Sequence, residues 1–584
     1  MCKRTVLALV VLSLALVTTG CQVGALKTPK VLPEWSRGQQ VGASALNRPI
    51  NMVPEDDYVH MIWVSAESKA LHYVRLDSSG EIQVSTDLDV NTAHPSDPQL
   101  LLNVDGSLTV VWTDNPDIPR ALFQASFSRD GQLLSGPTRL STEGVRVSDY
   151  ALARNLDGSH DIFWATEIPT EGGIYHLHLS GDGQIASANR LLIQNGAETS
   201  LQVAEDGMIH LAWTEERELQ ATDVYYAVFN PSTGELGSTT RGGFYKDATG
   251  VISYPPVLGL DKNTVYLFWA LERRGGGLVG PGNAETFVVS FPLSEPAFTE
   301  PRTVDIPSSA RPTYDAASGS LPYQQLASAD AGWPTPLLYM PATLGGQREE
   351  LAVCLAGQVA TRNQSSREVV WAVFANGKIK GYQLPAKFGN ALRPTAVIDE
   401  RGNVHLASLN SGGFGRYEVY YASTSDAVKA NLDRITIQDR AMDFIGAAWT
   451  LAPALGFFPP VLLLWSFASF TWVIVFYFVK TEGGLDRRPA QIALVVSILL
   501  YLVSKLFLMP GVLFYAPFLD RLPENLQFIT VLGTPLCTLL VALGALWLYF
   551  RRTPYRSLFA AWVIFVFTDA LLSLVIYVPR WLAG

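Results

Sequence analysis

The 584-residue chain has only four cysteines. Two of them, Cys2 and Cys21, fall in an apolar leader, and Cys354 and Cys537 lie in a strand-like and a helix-like run, so no disulfide framework is available. The sequence has no Walker loop, no dinucleotide fingerprint, no HExxH and no Cys-x-x-Cys, which removes nucleotide hydrolysis and a strong metal site from consideration. No cofactor is implied. Positive charge is also short: 43 Lys and Arg against 53 Asp and Glu give a formal net charge of −10, which argues against a nucleic-acid partner.

What the chain does have is a recurrence. Asp206-Gly207-Met208-Ile209-His210-Leu211-Ala212-Trp213 reads as a turn followed by a half-buried strand, because Asp-Gly supplies the left-handed turn and the alternation that follows suits a strand. Matching strands end at Trp63, Trp112, Trp164 and Trp269, at nearly regular intervals, and a further copy ends at Ser408 without the Trp. Four strands in about 50 residues is the content of a propeller blade. The interval from Trp269 to Ser408 is too long for one blade and holds a degenerate unit around Pro334–Leu338, Leu351–Leu355 and Val369–Val373, which brings the count to seven. The expected fold is a mainly β, seven-bladed propeller over residues 41–426, its last strand Glu418–Ala422 closing the ring.

Met1 to Cys21 resembles a bacterial lipoprotein signal in its charge, apolar run and terminal cysteine, with Cys21 as the lipidated residue of the mature chain, the alternative being an ordinary signal peptide or an uncleaved anchor. Residues 21–40, with Pro29 and Pro33, read as a tether outside the core. After residues 427–458, a linker and an interfacial segment broken by Pro453 and Gly456, come four apolar runs. Pro459–Val479, Ala490–Tyr515, Phe528–Phe550 and Leu558–Val578 are each long enough to cross about 30 Å of hydrocarbon at about 1.5 Å per residue. Lys480, Arg487 and Arg488, and then Arg551, Arg552 and Arg556, mark cytoplasmic loops, which leaves the propeller and the C-terminus outside the cell membrane. Inside the second and fourth spans stand Lys505 and Asp569, at matching depth if the helices both run outward, and an intramembrane ion pair is expected. Four helices with one such pair offer no evident transport pathway.

Aligning the blades on their anchors gives a candidate ligand-binding ring. Fourteen residues before each anchor stand Pro49, Pro98, Tyr150, Thr199, Pro255 and Pro394, and one residue earlier stand Arg48, Asp97, Asp149, Glu198, Tyr254 and Arg393. Inner strands line a propeller's channel, so these side chains are expected at one mouth, with Arg48 and Arg393 neighbours across the closure, able to take an acidic or polyhydroxyl ligand. His60, His210 and His405 sit three residues before their anchors and read as packing residues. His176 and His178 share one face of a strand.

The units over residues 41–426 resemble those of sialidase-like propellers. Arg48-Pro49-Ile50 is similar in place and kind to the sialidase arginine motif that holds a substrate carboxylate. Asp97, Glu198 and Tyr254 are residue types which that family uses in catalysis. The sialidase Asp-box places its aromatic four residues after the Gly, whereas Trp112 is six after Gly106. The resemblance implies a shared fold. Two functions remain open: an extracytoplasmic recognition or assembly protein binding a glycan, peptide or partner protein, or a glycoside hydrolase using the ring carboxylates.

Overall fold

A computed structural model describes residues 34–583 except 116–119, 169, 171, 218–220, 247–249, 274–282, 305–323, 326–337, 361–364, 386–389, 414, 435, 481–482, 510–515 and 517–526. The leader and Cys21 lie outside the described residues. The chain divides into two compact units after Arg434.

The first unit is a seven-bladed propeller built from seven antiparallel sheets. Its inner strands are Asn51–Glu55, Ser96–Leu102, Val147–Arg154, Ala197–Val203, Val251–Leu260, Leu338–Thr343 and Ala391–Ile398. The second strand of each blade carries the anchor, and Trp63, Trp112, Trp164, Trp213 and Trp269 are all at most 2% exposed. An anchor packs across the seam onto the preceding blade: Trp63 lies with Val419 and Tyr421, Trp213 with Ala153 and Phe163, and Trp269 with Val224 and Tyr226. The Asp-Gly turns take their expected left-handed form at Gly106, Gly158 and Gly207, with φ of 79°, 84° and 81°.

The ring closes differently from the simplest expectation. Gln39–Ser44, which begins in the stretch read as tether, is the outermost strand of the seventh blade and pairs antiparallel with Tyr417–Ser423. Just ahead of it Trp35 is fully buried. It meets Trp371 of the sixth blade edge-on at 5.5 Å, and its Nε1 donates to Gln383 Oε1 at 2.7 Å. This is the seam at which the repeat has Ser408 in place of Trp. The core there, with Cys354, Trp371, Ala391 and Leu406, is filled from the N-terminal segment instead. Residues 34–40 therefore belong to the propeller and not to a tether, because a missing anchor leaves apolar space that Trp35 occupies. A short helix, Asp426–Leu432, follows the last strand and buries Val428, and the Asp433 carboxylate just beyond it accepts the Arg37 N–H at 2.9 Å.

The second unit contains helices Ile437–Val479, Arg488–Leu508, Gln527–Arg552 and Leu558–Ala583. All four are long and apolar enough to cross a membrane, over Leu455–Val479, Arg488–Leu508, Phe528–Arg552 and Leu558–Val578. The break expected at Pro453 and Gly456 is absent: the first helix is continuous for 43 residues. Proline weakens a helix by removing one N–H, and in an apolar setting the pressure to keep the remaining backbone groups paired sustains the helix through it.

Replacing Trp35 by Ala should lower the stability of the propeller by about 3–5 kcal/mol, the cost of emptying a core aromatic site. Thermal unfolding of the detergent-solubilised full chain checks this. A residue in a free tether would leave the midpoint unchanged.

Candidate functional site

The aligned ring has a backbone cause. In six blades the inner strand carries a register shift at the same place: between Ser96 and Gln99, Val147 and Asp149, Ala197 and Thr199, Tyr254 and Val257, Tyr339 and Ala342, and Leu392 and Thr395. Asp97, Glu198, Met340 and Arg393 sit there with φ of 50°, 46°, 56° and 46°. A non-glycine residue in this region costs on the order of 1–3 kcal/mol and persists only where its surroundings hold it. Bulges re-aim side chains, and here they fall on the ring residue itself in four blades and beside it in two, at Ser148 next to Asp149 and at Pro255–Pro256 next to Tyr254. The sixth blade contributes Met340, ahead of Pro341. The sequence alignment omitted it because its blade is anchored by Leu355 instead of an aromatic, although Pro341 keeps the common interval to the anchor.

The ring residues find partners mostly on neighbouring blades. Arg48, half-exposed, pairs through Nε with Asp97 Oδ1 at 3.2 Å. The other Asp97 oxygen accepts from Arg120 Nη2 at 2.7 Å, and the same nitrogen donates to Thr113 Oγ1 at 2.5 Å. The Tyr150 hydroxyl, with one proton to donate, lies within hydrogen-bonding reach of two backbone carbonyls, that of Val111 at 2.8 Å and that of Asp97. Asp149 Oδ2 accepts the Thr199 N–H of the next blade at 2.8 Å. Glu198 Oε2 accepts from Thr214 Oγ1 at 3.3 Å. The Tyr254 hydroxyl donates to Glu272 Oε2 at 2.5 Å, and the Arg393 guanidinium lies over the Tyr254 ring, 5.2 Å from its centroid. The Arg393 N–H faces Met340 Sδ at 3.4 Å. The two arginines thus turn to different partners, Arg48 toward the second blade and Arg393 toward the fifth. Arg120 and Glu272 join the site from outside the inner strands, and Glu272 stands three residues after its anchor as Glu167 and Glu216 do after Trp164 and Trp213, a recurrence the inner-strand register does not cover.

These environments separate the two neighbouring carboxyls. Asp97 lies between two guanidiniums, whereas burial pushes Asp149 up to about 6, with the Asp97 charge adding to the rise and the Thr199 N–H opposing it.

The histidines on the opposite, turn-bearing edge do not converge. Each bonds a tyrosine of the next strand: His60 to Tyr73 at 2.7 Å, His210 to Tyr226 at 2.6 Å and His405 to Tyr421 at 2.7 Å. His176 and His178 both bond Asp161 Oδ1, at 2.7 and 2.9 Å. Among the described residues no group of three or more His, Cys, Asp or Glu is arranged to hold a metal.

In the helical unit Lys505 Nζ lies 2.5 Å from Asp569 Oδ2, which also accepts from the Tyr501 hydroxyl at 2.7 Å.

No protein-family model and no curated protein matches the chain. Solved propeller structures resemble it. An ulvan lyase has 9% identity and a TM-score of 0.42 over 66% of this chain and 94% of its own. The polysaccharide lyase Uly1 has 12% identity and a TM-score of 0.39 over 64% and 89%. An endo-arabinase from Bacteroides thetaiotaomicron has 10% identity and a TM-score of 0.29 over 42% and 96%. Likeness at this level reaches no further than the fold.

Asp149 binds its proton more tightly in the folded protein than in the unfolded chain, so its contribution is fully present below pH 3.8 and lost as pH rises through about 6. Asp149→Asn keeps an acceptor for the Thr199 N–H and removes the buried charge. It should raise the melting temperature at neutral pH and flatten its decline between those two values. A separate thermal-melt comparison applies to Lys505→Ala and Asp569→Ala: each should lower the midpoint more than the double replacement, since a lone buried charge costs about 3–5 kcal/mol. Additive losses would count against a coupled pair.

Proposed function

We propose that the chain is a membrane-anchored recognition protein whose propeller, on the extracytoplasmic side, holds an acidic or polyhydroxyl ligand at the mouth ringed by Arg48, Asp97, Asp149, Glu198, Tyr254 and Arg393. The ligand would be a glycan first, with a peptide or partner protein presenting similar groups as the alternative. The observation that carries this reading is the repeated bulge. Strained residues at this register in four blades, Asp97, Glu198, Met340 and Arg393, are costly, and three of the four carry charged side chains. Arg48 supports it further: its side chain is 52% exposed although it pairs through Nε with Asp97, and a half-exposed guanidinium is suited to a carboxylate or sulfate.

The chain ends favour the same reading. Gln39 and Ser423 lie at the turn-bearing edge of the seventh blade, next to His405, whereas Ser44 and Tyr417 lie at the ring edge. Both connections to the rest of the chain therefore leave from the face opposite the mouth. Lipidation of Cys21 and cytoplasmic placement of the loops around Arg487 and Arg551 complete the proposed topology.

A second reading, a sialidase-like glycoside hydrolase, is favoured by the raised proton affinity of Asp149 beside a second carboxyl, Asp97, since acid–base cleavage of a glycosidic bond needs one carboxyl of a pair pushed up toward neutrality.

Binding of the solubilised chain to an array of acidic and neutral oligosaccharides tests the proposal. Arg48→Ala or Arg393→Ala should weaken binding to the retained oligosaccharides by about 1.5–3 kcal/mol with the melting temperature kept. Retention equal to that of a propeller-free control would remove the recognition reading. Release of new reducing ends that Asp149→Asn abolishes would replace it by the second. For attachment, Cys21→Ala should block lipid incorporation while the protein stays in the membrane through its helices.

A further inference from the structure

The two short loops at one end of the helical unit are built into each other. Gly484, between the first and second helices, forms an antiparallel bridge with Ser557, between the third and fourth. The Leu485 N–H donates to the Arg556 carbonyl and the Leu558 N–H to the Gly483 carbonyl, both at 2.9 Å. Two tyrosines brace the bridge: the Tyr549 hydroxyl accepts the Ser557 N–H at 3.0 Å, and the Tyr477 hydroxyl accepts the Phe559 N–H at 3.4 Å. Leu485 and Leu558 are buried in the helical core. Glycine is needed at 483, because a Cβ there would collide with the Tyr477 hydroxyl. The two loops therefore form one platform.

The charge on this platform runs against that of the chain. Residues 480–488 and 551–557 carry Lys480, Arg487, Arg488, Arg551, Arg552 and Arg556 against Glu482 and Asp486, in a protein of formal net charge −10, and all six cations are exposed. Arg551 and Arg552 close the third helix, where a cation suits the helix dipole. Arg487 and Arg488 are placed the other way, at the start of the second helix, whose first turn holds no acidic residue. Arg556 stands two residues ahead of the fourth helix, which likewise has no acid in its first turn. Backbone hydrogen bonds thus draw like charges and two positive helix ends together, an arrangement that an anion from outside the chain relieves.

We propose that this platform binds the headgroup of an anionic phospholipid, with Arg487, Arg488 and Arg556 serving its phosphate. The place of the platform favours lipid over a soluble anion. Arg488 and Arg552 are terminal residues of two of the segments long and apolar enough to cross a membrane, so with those segments in a bilayer the platform stands at headgroup level. The Arg551 guanidinium lies over the Trp547 ring, 5.2 Å from its centroid, and Trp547 is 55% exposed near the same end of the third helix. Exposed indoles are enriched at the boundary between hydrocarbon and headgroups. The inference depends neither on which side of the membrane the loops face nor on the ligand-binding reading of the propeller.

The test is thermal unfolding of the detergent-solubilised full chain titrated with phosphatidylglycerol, phosphatidylcholine or inorganic phosphate. Phosphatidylglycerol should raise the midpoint to a plateau, less so as salt is added, and phosphatidylcholine, with the same phosphate but no net charge, should not. The double variant Arg487→Gln/Arg556→Gln should need at least about tenfold more phosphatidylglycerol for the half-maximal shift. Its midpoint without lipid should equal or exceed that of the parent, because repulsion between the loops is reduced. Lys378→Gln/Lys380→Gln, which removes the same charge from exposed positions of a propeller strand, should titrate like the parent. Equal shifts with the two lipids, an unchanged titration in Arg487→Gln/Arg556→Gln, or an equal loss in Lys378→Gln/Lys380→Gln would overturn the proposal. A plateau of the same height with inorganic phosphate would overturn the lipid assignment in favour of a soluble anion.

Discussion

The propeller depends on the antiparallel pairing of Gln39–Ser44 with Tyr417–Ser423. Each of the other seams joins neighbours along the chain, so its formation costs little loop entropy. This one joins the two ends of the propeller sequence and must be supported by more than a strand ladder. The support is local and dense. Ser36 donates from its N–H to the Ser423 carbonyl at 2.7 Å and accepts the Ser423 N–H at its hydroxyl at 3.0 Å. Trp35 is buried beside Trp371, and the Trp63 Nε1 donates to the Ala43 carbonyl at 3.0 Å across the first seam. Gly42 is needed for that last contact, because a Cβ there would stand 2.5 Å from the Trp63 ring. Closure thus fixes both seams of the seventh blade together.

Closure also sets what the mouth can be. With inner strands held side by side, some side chains near the bulges pair within their own blade, as Glu198 with Thr214 and Tyr254 with Glu272, and several contacts reach to the next. Arg48 meets Asp97, Asp149 meets the Thr199 backbone, and Thr395 of the seventh blade donates to the Ile50 carbonyl of the first at 2.9 Å. The chemistry of the mouth is in this part a property of neighbouring blades, and burial between them is what raises the proton affinity of Asp149.

How much of this the sequence discloses tracks the range of the interactions. The Asp-Gly turns and Trp anchors are local signals and give the blade repeat directly, and the constant interval from anchor to inner strand locates Asp97 or Arg393. The interval cannot reveal that Arg120 and Glu272 complete the site, since they come from strands outside that register. Nor does it identify Met340, whose blade has lost the aromatic that sets the count. Trp35 is the clearest case: in a segment with several prolines it reads as tether, and only the missing anchor at Ser408, near the far end of the propeller sequence, explains why it is buried. In the helical unit, length and apolarity are visible in the chain, whereas continuity through Pro453 is not, because it depends on the apolar surroundings and not on the propensity of the residue.

Both units hold carboxyls away from water, and the two solutions differ for a physical reason. In the propeller Asp149 sits among backbone donors and within reach of solvent at the mouth, so its charge can be given up by taking a proton from water. Asp569, enclosed among apolar helices, has no such recourse, and its charge must be matched by a group that travels with it in the same bundle. Lys505 is that group. A pair formed under this constraint adds less stability than apolar packing of the same volume would, yet removing either member strands the other's charge in the apolar interior, so the two residues are bound to each other more strictly than any pair of apolar neighbours is.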